Sequence, residues 1–397
     1  MKRIFLIVLD SMGIGAMDDA GLYGDEGSNT LLSISKSRLF HLPNFRRLGL
    51  FNIDSVPLES SPSPIASFAR MKEASSGKDT VTGHFEIAGT KVSKPFPVYP
   101  NGFPRAVMDR FESLTGYKTV CNKPYSGTDV ICDYGEHHQK TKDLIVYTSA
   151  DSVFQIAAHE ELIPVSELYR CCKIARKILT NEHMVARVIA RPFVGEDSKY
   201  VRTKNRRDFS VLPPGVTMLD QLKESGFDVV SVGKISDIFV SRGITSSTYT
   251  SSNQDGIDCI VNWLSKDFEG LCFSNLVDFD TLYGHRNDVE GYARAMSELD
   301  ERLPEIISNL KQEDILMITA DHGCDPAAPS TDHSREYTPL LIYGHRIKKG
   351  VNLGTRPTFS DIGRTILDYF KIPSKIEGES FLKLVTDLYP INKGVNA

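Results

Sequence analysis

Short apolar runs rich in β-branched residues alternate along the chain with longer stretches of helical periodicity. The apolar runs are Ile4–Leu9, Leu144–Tyr147, Asp228–Val232, Leu271–Val277, Ile315–Thr319 and Leu340–Tyr343. Continuous apolar runs of this length indicate strands buried on both faces, as in parallel sheets covered by helices. The pattern therefore predicts an α/β protein with a mostly parallel sheet flanked by helices.

Carboxylates follow three of these predicted strands. They are Asp10 after the first run, Asp278 and Asp280 after the fourth, and Asp321 after the fifth. Ligands of parallel α/β sheets bind at the carboxyl ends of the strands. We therefore expect one edge of the sheet to gather negative charge.

The position of these carboxylates indicates a discontinuous domain. Asp10 lies near the start and the others lie beyond residue 270, so both ends of the chain must meet in one domain. Proline-rich stretches near 95–104 and 213–215 are typical of borders. We predict a core of 1–96 and 216–397 and an inserted, smaller α/β domain at 97–215. Within the inserted domain we expect a helix near Val165–Leu179 that buries Cys171 and Cys172.

Composition excludes several classes of function. With 41% hydrophobic and 24% charged residues and a net charge of -5, the chain is typical of folded globular proteins and has no overall affinity for nucleic acid or an anionic membrane. No apolar run near the start approaches the ~20 residues of a membrane span. The seven cysteines form no C-x-x-C pair, so we expect reduced thiols, no structural zinc site built on cysteine and a cytoplasmic protein.

Histidines join the carboxylates in the same parts of the sequence. His285 follows Asp280 by five residues, and His322 and His333 follow the fifth run. Oxygen and imidazole donors together suit manganese, magnesium or zinc, and six such donors suit two cations. The residues alone leave Asp278 and Asp280 open as ligands, and a strand-end Asp is often only a cap. Further polar residues expected nearby are His84, Asp325 and Asp332.

A hydroxyl nucleophile is available in the segment Gly77–Glu86. Thr80 and Thr82 both qualify, because a hydroxyl bound to a cation loses its proton more readily. The alternative is that these residues only cap the following helix. Both interpretations are compatible, since a helix N-terminus also favours a phosphoryl group.

Seven segments carry a family resemblance. They are Leu9–Gly15, Gly77–Glu86, Tyr147–Ser152, Ile189–Phe193, Gly233–Asp237, Asp278–His285 and Thr319–Gly323. Through them, nearly end to end, the chain resembles the phosphopentomutase family of the alkaline-phosphatase superfamily. The resemblance implies an alkaline-phosphatase-like core with an inserted cap domain. It also implies interconversion of ribose 1-phosphate and ribose 5-phosphate, and of the deoxyribose phosphates, through a phosphothreonine and a 1,5-bisphosphate.

The resemblance also assigns residues. It implies that Thr80, rather than Thr82, carries phosphate, and that Asp280, rather than Asp278, is a ligand. It places one Mn²⁺ on Asp10, Asp321, His322 and Thr80, and a second on Asp280, His285 and His333. It further implies a sugar bisphosphate activator, glucose 1,6-bisphosphate or ribose 1,5-bisphosphate.

The inserted domain offers a candidate phosphate clamp. Seven basic residues against two acidic ones lie between Arg187 and Arg207. Arginine binds phosphate oxygens bidentately, although such a stretch is equally typical of a solvated basic face. The predicted substrate-binding residues are Asp151, Arg191, Arg202 and Lys234.

Two positions depart from the family pattern, and other functions stay open. Phe85 stands where a tryptophan is usual, and Cys324 where an asparagine is usual. Loss of that amide would alter the polar support beside the metals. The alternatives are a metal-dependent phosphomonoesterase, another phosphomutase of the superfamily such as the cofactor-independent phosphoglycerate enzyme, and a metal-binding protein without catalysis.

Overall fold

The computed structural model describes residues 1–149, 152–196 and 199–386. The chain divides into two compact units, one made of Met1–Lys94 with the chain from Pro213 onward, the other of Pro95–Leu212. The insertion predicted at 97–215 differs from the second unit only at its borders. Pro213 and Pro214 belong to the returning chain of the first unit.

The elements are numbered in chain order. Strands β1 to β14 are Arg3–Leu9, Ser67–Met71, Thr119–Pro124, Leu144–Thr148, Val153–His159, Arg187–Val194, Val201–Arg202, Arg207–Ser210, Asp228–Val232, Ser246–Thr248, Gly270–Leu276, Ile315–Thr319, Thr338–Tyr343 and Asn352–Arg356. Helices α1 to α12 are Thr30–Ile34, Pro43–Leu48, Thr80–Ile87, Arg105–Thr115, Asp129–Thr141, Val165–Ile178, Met218–Glu224, Ile235–Ile238, Asn253–Ser265, Val289–Ser308, Ser360–Tyr369 and Leu382–Val385. A single π-helical turn spans Phe279–Tyr283 and a 3₁₀ turn follows at Gly284–Arg286.

The first unit is built on a sheet of order β10-β9-β11-β1-β12-β13-β2-β14. β13 is antiparallel to both of its neighbours, and the other pairs are parallel, so the predicted mostly parallel sheet is confirmed. All residues of β1, β11 and β12 are buried, as expected for strands covered on both faces. In their register, Leu9 lies opposite Leu276, and Val8 lies opposite Thr319. The carboxyl ends of these three strands therefore meet at one edge.

The second unit has its own sheet, of order β3-β4-β5-β6-β7, with β8 paired to β6. Side chains of β4 alternate between two cores, Leu144 and Val146 with α4 and α6, and Ile145 and Tyr147 with α5. Cys171 and Cys172 are fully buried on α6, as predicted. This unit therefore has a hydrophobic core of its own. Within the described part of the chain, no helix combines the length and the apolar character that a bilayer crossing requires.

A buried ion pair connects the amino end of the central strand, β1, to neighbouring elements. Arg3 is 1% exposed, and its Nε and Nη2 donate to the two carboxylate oxygens of Asp314 at 2.9 and 2.5 Å. Nη1 donates to the carbonyls of Leu264 and Lys266. The guanidinium thus joins β1 to the start of β12 and the end of α9.

Arg3→Met should lower the free energy of unfolding of the first unit by roughly 3–5 kcal/mol, because it leaves a buried carboxylate without its partner. Lys311→Met is the matched control: Lys311 pairs with Asp267 while both side chains stay at least half exposed, and its loss should cost below about 1 kcal/mol. Urea unfolding followed by the fluorescence of Trp263, the single tryptophan of the sequence, measures both. An equal loss of unfolding free energy in the two variants would contradict the prediction.

Candidate metal centre

The carboxyl ends of β1, β11 and β12 deliver the acidic residues to one place. Asp10 directly follows β1, Asp321 and His322 follow β12, and Asp280 lies in the π-helical turn after β11. Asp10 and Asp321 are completely buried and Asp280 is 3% exposed. The sequence prediction that this edge gathers negative charge is confirmed.

A first group of donor atoms comes from Asp10, Asp321 and His322, which lie within 4.8 Å of one another. His322 Nε2 is 3.4 Å from Asp10 Oδ1 and 3.3 Å from Asp321 Oδ2. The other ring nitrogen, Nδ1, lies 3.0 Å from the carbonyl of Gly323 and donates to it. With Nδ1 engaged in this hydrogen bond, Nε2 is the ring nitrogen that faces the carboxylates.

A second group comes from Asp280, His322 and His333, again within 4.8 Å of one another. His333 Nε2 lies 3.3 Å from Asp280 Oδ1, and His285 Nε2 lies 3.4 Å from Asp280 Oδ2. The two Nε2 atoms of His285 and His333 face each other at 3.1 Å. His285 Nδ1 donates to the carbonyl of Thr331 at 2.7 Å, so its Nε2 is the acceptor nitrogen. The two groups share His322, and they are therefore adjacent.

The centre contains polar atoms that the protein does not satisfy. Three buried oxygens accept no hydrogen bond from the residues that the structure describes: Asp10 Oδ1, Asp280 Oδ1 and Asp321 Oδ2. Orphaned acceptors of this kind are rare in folded proteins and call for a ligand. Their positions, and the mixture of carboxylate and imidazole donors, fit divalent cations.

The electrostatics of Asp10 and Asp321 lead to the same conclusion. Burial raises the pKa of Asp10, and the charges of Asp321 and Asp280 raise it further. Burial acts the same way on Asp321, but the adjacent His322 and His84 outweigh it and lower the pKa of Asp321 to about 2. Crowded buried carboxylates repel one another, and a bound cation removes that repulsion.

Thr80 and Thr82 occupy different environments at the start of α3. Asp79 caps this helix by accepting from the backbone N–H groups of Val81 and Thr82. Thr80 Oγ1 lies 3.2 Å from His322 Nε2. Thr82 Oγ1 instead donates to Asp79 Oδ2 at 2.5 Å. Only Thr80 of the two therefore presents its hydroxyl to the metal-ligating groups.

α3 approaches the centre closely because of Gly83. A Cβ at this position would lie 2.1 Å from the carbonyl oxygen of Asp321. His84, fully buried on the same helix, has its Nδ1 2.8 Å from the carbonyl of Thr80 and 3.1 Å from Asp321 Oδ2. The predicted position of His84 near the centre is confirmed. His84 contacts Asp321 but belongs to neither donor group.

Asp278 and Asp280 are separated by the π-helical turn. Asp278 Oδ2 accepts from the backbone N–H of Asn253, and the backbone N–H of Asp278 donates to Asn253 Oδ1. Asp278 is therefore engaged with the start of α9. Of the other carboxylates, Asp325 accepts from the backbone of Asn29, and Asp332 lies 3.4 Å from Lys78.

Sequence reasoning missed several supporting residues. Asn275, a buried amide inside the apolar run of β11, donates to Asp10 Oδ2 at 3.1 Å. The interruption of that run by an amide was the available signal. Ser11 adopts a left-handed conformation (φ 73°), unusual for a residue other than glycine, and its N–H donates to Asp321 Oδ1.

Two further residues hold the loops of the centre. The buried carboxylate of Glu336 accepts from the N–H groups of Gly15 and Thr30 and from the hydroxyls of Thr30 and Ser334, and burial raises its pKa to about 7. Arg335 donates to the carbonyl of Gly77 and pairs with Glu73 at 2.7 Å, which anchors the segment before Thr80. No sequence motif distinguishes these two residues.

The predicted substrate-binding residues divide between the units. Arg191 and Arg202 lie in the second unit. Burial raises the pKa of Tyr147 there, and the charges of Arg191, Arg202 and Arg206 lower it. Burial lowers the pKa of Arg191 to about 10, and Arg206 and Arg202 add to the effect. Lys234 lies in the first unit, directly before α8. Asp151 lies outside the described residues.

Comparison with known proteins identifies the family. The model of the metalloenzyme superfamily matches residues 2–374. The phosphopentomutase of Lachnoclostridium phytofermentans is 60% identical over 96% of this chain and 99% of its own length, and that of Acetivibrio thermocellus is 58% identical over the same shares. The chain belongs to the phosphopentomutase family.

Membership in this family agrees with the fold and with the donor groups. The PH0037 protein from Pyrococcus horikoshii aligns over 95% of this chain and 99% of its own length with a TM-score of 0.50 and 16% identity, which supports a shared fold. The superfamily model and the phosphopentomutase relatives support the alkaline-phosphatase-like core that the sequence resemblance implied. The superfamily and the two donor groups together make this phosphopentomutase-family chain a binder of divalent metal.

Mn²⁺ at about a hundredfold excess over its Kd should stabilise the protein by about 2.7 kcal/mol. In chelator, Asp10→Asn should be no less stable than the wild type, because it removes one of three repelling carboxylates. Mn²⁺ should stabilise this variant much less than it stabilises the wild type. Thermal unfolding with chelator and with Mn²⁺ measures this. Asp278→Asn is the control and should keep the full gain. An undiminished gain in Asp10→Asn would count against this site.

Proposed function

We propose that this chain is a phosphopentomutase that interconverts ribose 1-phosphate with ribose 5-phosphate, and the corresponding deoxyribose phosphates. The observation that carries the proposal is the hydroxyl of Thr80, at the start of a helix and 3.2 Å from His322 Nε2, beside three buried carboxylate oxygens without donors. A nucleophile so placed suits phosphoryl transfer, where catalysis is mostly positioning and charge stabilisation.

Asp10, Asp321, His322 and Thr80 would hold one Mn²⁺, and Asp280, His285 and His333 a second. Bound metal supplies positive charge to the phosphoryl oxygens and favours ionisation of a coordinated hydroxyl. Asn275, which donates to Asp10, and His84, which contacts Asp321, orient these carboxylates. The first backbone N–H groups of α3 favour a phosphoryl group on Thr80.

The reaction begins with Thr80 phosphorylated by a sugar bisphosphate, glucose 1,6-bisphosphate or ribose 1,5-bisphosphate. The P–O bond to Thr80 Oγ1 breaks and a P–O bond to the C5 oxygen of ribose 1-phosphate forms, which gives the 1,5-bisphosphate. The proton lost by the C5 hydroxyl balances the one regained by Thr80. Thr80 then takes the C1 phosphate, the C1 oxygen regains a proton, and ribose 5-phosphate leaves.

The second unit is the proposed cap that favours transfer over hydrolysis. The charges of Arg191 and Arg202 act on the buried hydroxyl of Tyr147, which has no hydrogen-bond partner among the described residues. This cationic cluster suits the phosphate that is not being transferred. Asp151 and Lys234 are the further candidates for holding the sugar. Exclusion of water from phospho-Thr80 is what a mutase needs beyond a phosphatase.

Purified protein supplied with Mn²⁺, ribose 1-phosphate and a trace of glucose 1,6-bisphosphate should form ribose 5-phosphate with little free phosphate. Both products are quantified in the same sample, with chelator in place of Mn²⁺ as the control. Free phosphate as the main product would mean a phosphomonoesterase. Neither product, with metal bound, would refute the proposed substrate.

Thr80→Ala should abolish labelling of the protein by radioactive bisphosphate and lower mutase turnover by at least about 10³-fold. The reason is that alanine lacks the side-chain oxygen to which the phosphate is bound. Thr82→Ala is the matched control, two residues away on the same helix turn, and should still be labelled. Mass spectrometry of the peptide that contains both residues gives the site. Label retained in Thr80→Ala would move the nucleophile elsewhere.

A further inference from the structure

Cys324 lies beside the second donor group. Its Sγ, one carboxylate oxygen of Asp280 and one ring nitrogen of His285 are all within 4.8 Å of one another. The side chain is 1% exposed, and its thiol donates to the carbonyl oxygen of Asp332 at 3.6 Å. The sulfur is therefore within reach of a cation held by Asp280 and His285.

The backbone around Cys324 holds the sulfur in this position. Its N–H donates to the carbonyl of Ser11 at 3.1 Å and to Thr30 Oγ1 at 3.2 Å. Gly284, directly before His285, has no side chain to displace the sulfur: a Cβ there would lie 2.9 Å from Sγ. The glycine thus lets the segment with His285 pack directly against the thiol.

The other two donors are independently arranged to accept a cation. Asp280 is 3% exposed, and its Oδ1 accepts no hydrogen bond. His285 donates through Nδ1 to Thr331, which leaves its Nε2 as the acceptor, 3.4 Å from Asp280 Oδ2. Oxygen, nitrogen and sulfur donors therefore converge on one point.

We propose that Cys324 is a metal ligand that makes the pocket of Asp280 and His285 a site for thiophilic divalent cations, Zn²⁺ or Cd²⁺. A thiolate, an imidazole and a carboxylate are typical zinc ligands, whereas Mn²⁺ prefers oxygen donors. On binding, the metal–sulfur bond forms and the thiol proton passes to solvent. A thiophilic cation thereby competes with the cation that the reaction uses. This inference rests on the second metal site of the proposed function.

Cobalt is the probe, because a thiolate ligand gives Co²⁺ a charge-transfer absorption that oxygen and nitrogen ligands do not. Metal-free protein titrated with Co²⁺ should show this band together with the visible bands of the bound ion. Cys324→Ser should keep the visible bands and lose the charge-transfer band. Cys272→Ala is the matched control: this buried cysteine of β11 contacts Ser274, and its loss should leave the band intact.

Zn²⁺ affinity, measured by competition with a chromophoric chelator, should fall at least about tenfold in Cys324→Ser, and Mn²⁺ affinity by less than about threefold. Trp263 fluorescence establishes that each variant is folded. The inference is overturned by bound cobalt without the charge-transfer band, by a band that survives in Cys324→Ser, or by equal loss of both metals. A wild type with the band but without ribose 5-phosphate production would refute the proposed function alone.

Discussion

Mutual repulsion among Asp10, Asp280 and Asp321 is the constraint around which the first unit is organised. Three adjacent parallel strands bring these carboxylates to one buried edge, and each retains an oxygen that accepts no hydrogen bond. Buried like charges are costly unless they are neutralised. The imidazoles offset part of that cost, and a bound divalent cation offsets more of it, so metal binding stabilises the fold.

The rigidity of the centre comes from residues outside the two donor groups. Glu336 receives four hydrogen bonds from two loops, and a Cβ at Gly13 or Gly323 would collide with its side chain. Gly83 lets the helix that begins with Thr80 rest on the backbone of Asp321. Such close packing holds Thr80 and the donor groups in fixed relation, which the proposed phosphoryl transfer requires.

The two units divide the chemistry between them. The first contains both donor groups and Thr80, and the second contains the arginines whose charges lower the pKa of Tyr147. A metal site with a hydroxyl nucleophile serves hydrolysis and transfer equally well. The choice between them falls to whatever binds the sugar phosphate and excludes water, and we assign that task to the second unit.

The sequence by itself determined six of the strands, the acidic residues at the ends of three of them and the helix Val165–Ile178 with its buried cysteines, because apolar periodicity is a local property of the chain. It also carried the family resemblance. Apart from that resemblance, it left Thr80 and Thr82 equivalent as hydroxyls, and it concealed the roles of Asn275, Glu336 and the Arg3–Asp314 pair. Those residues act on partners up to about 310 positions away. Only the tertiary structure brings such partners together, since long-range pairing depends on how the whole chain packs rather than on any local pattern.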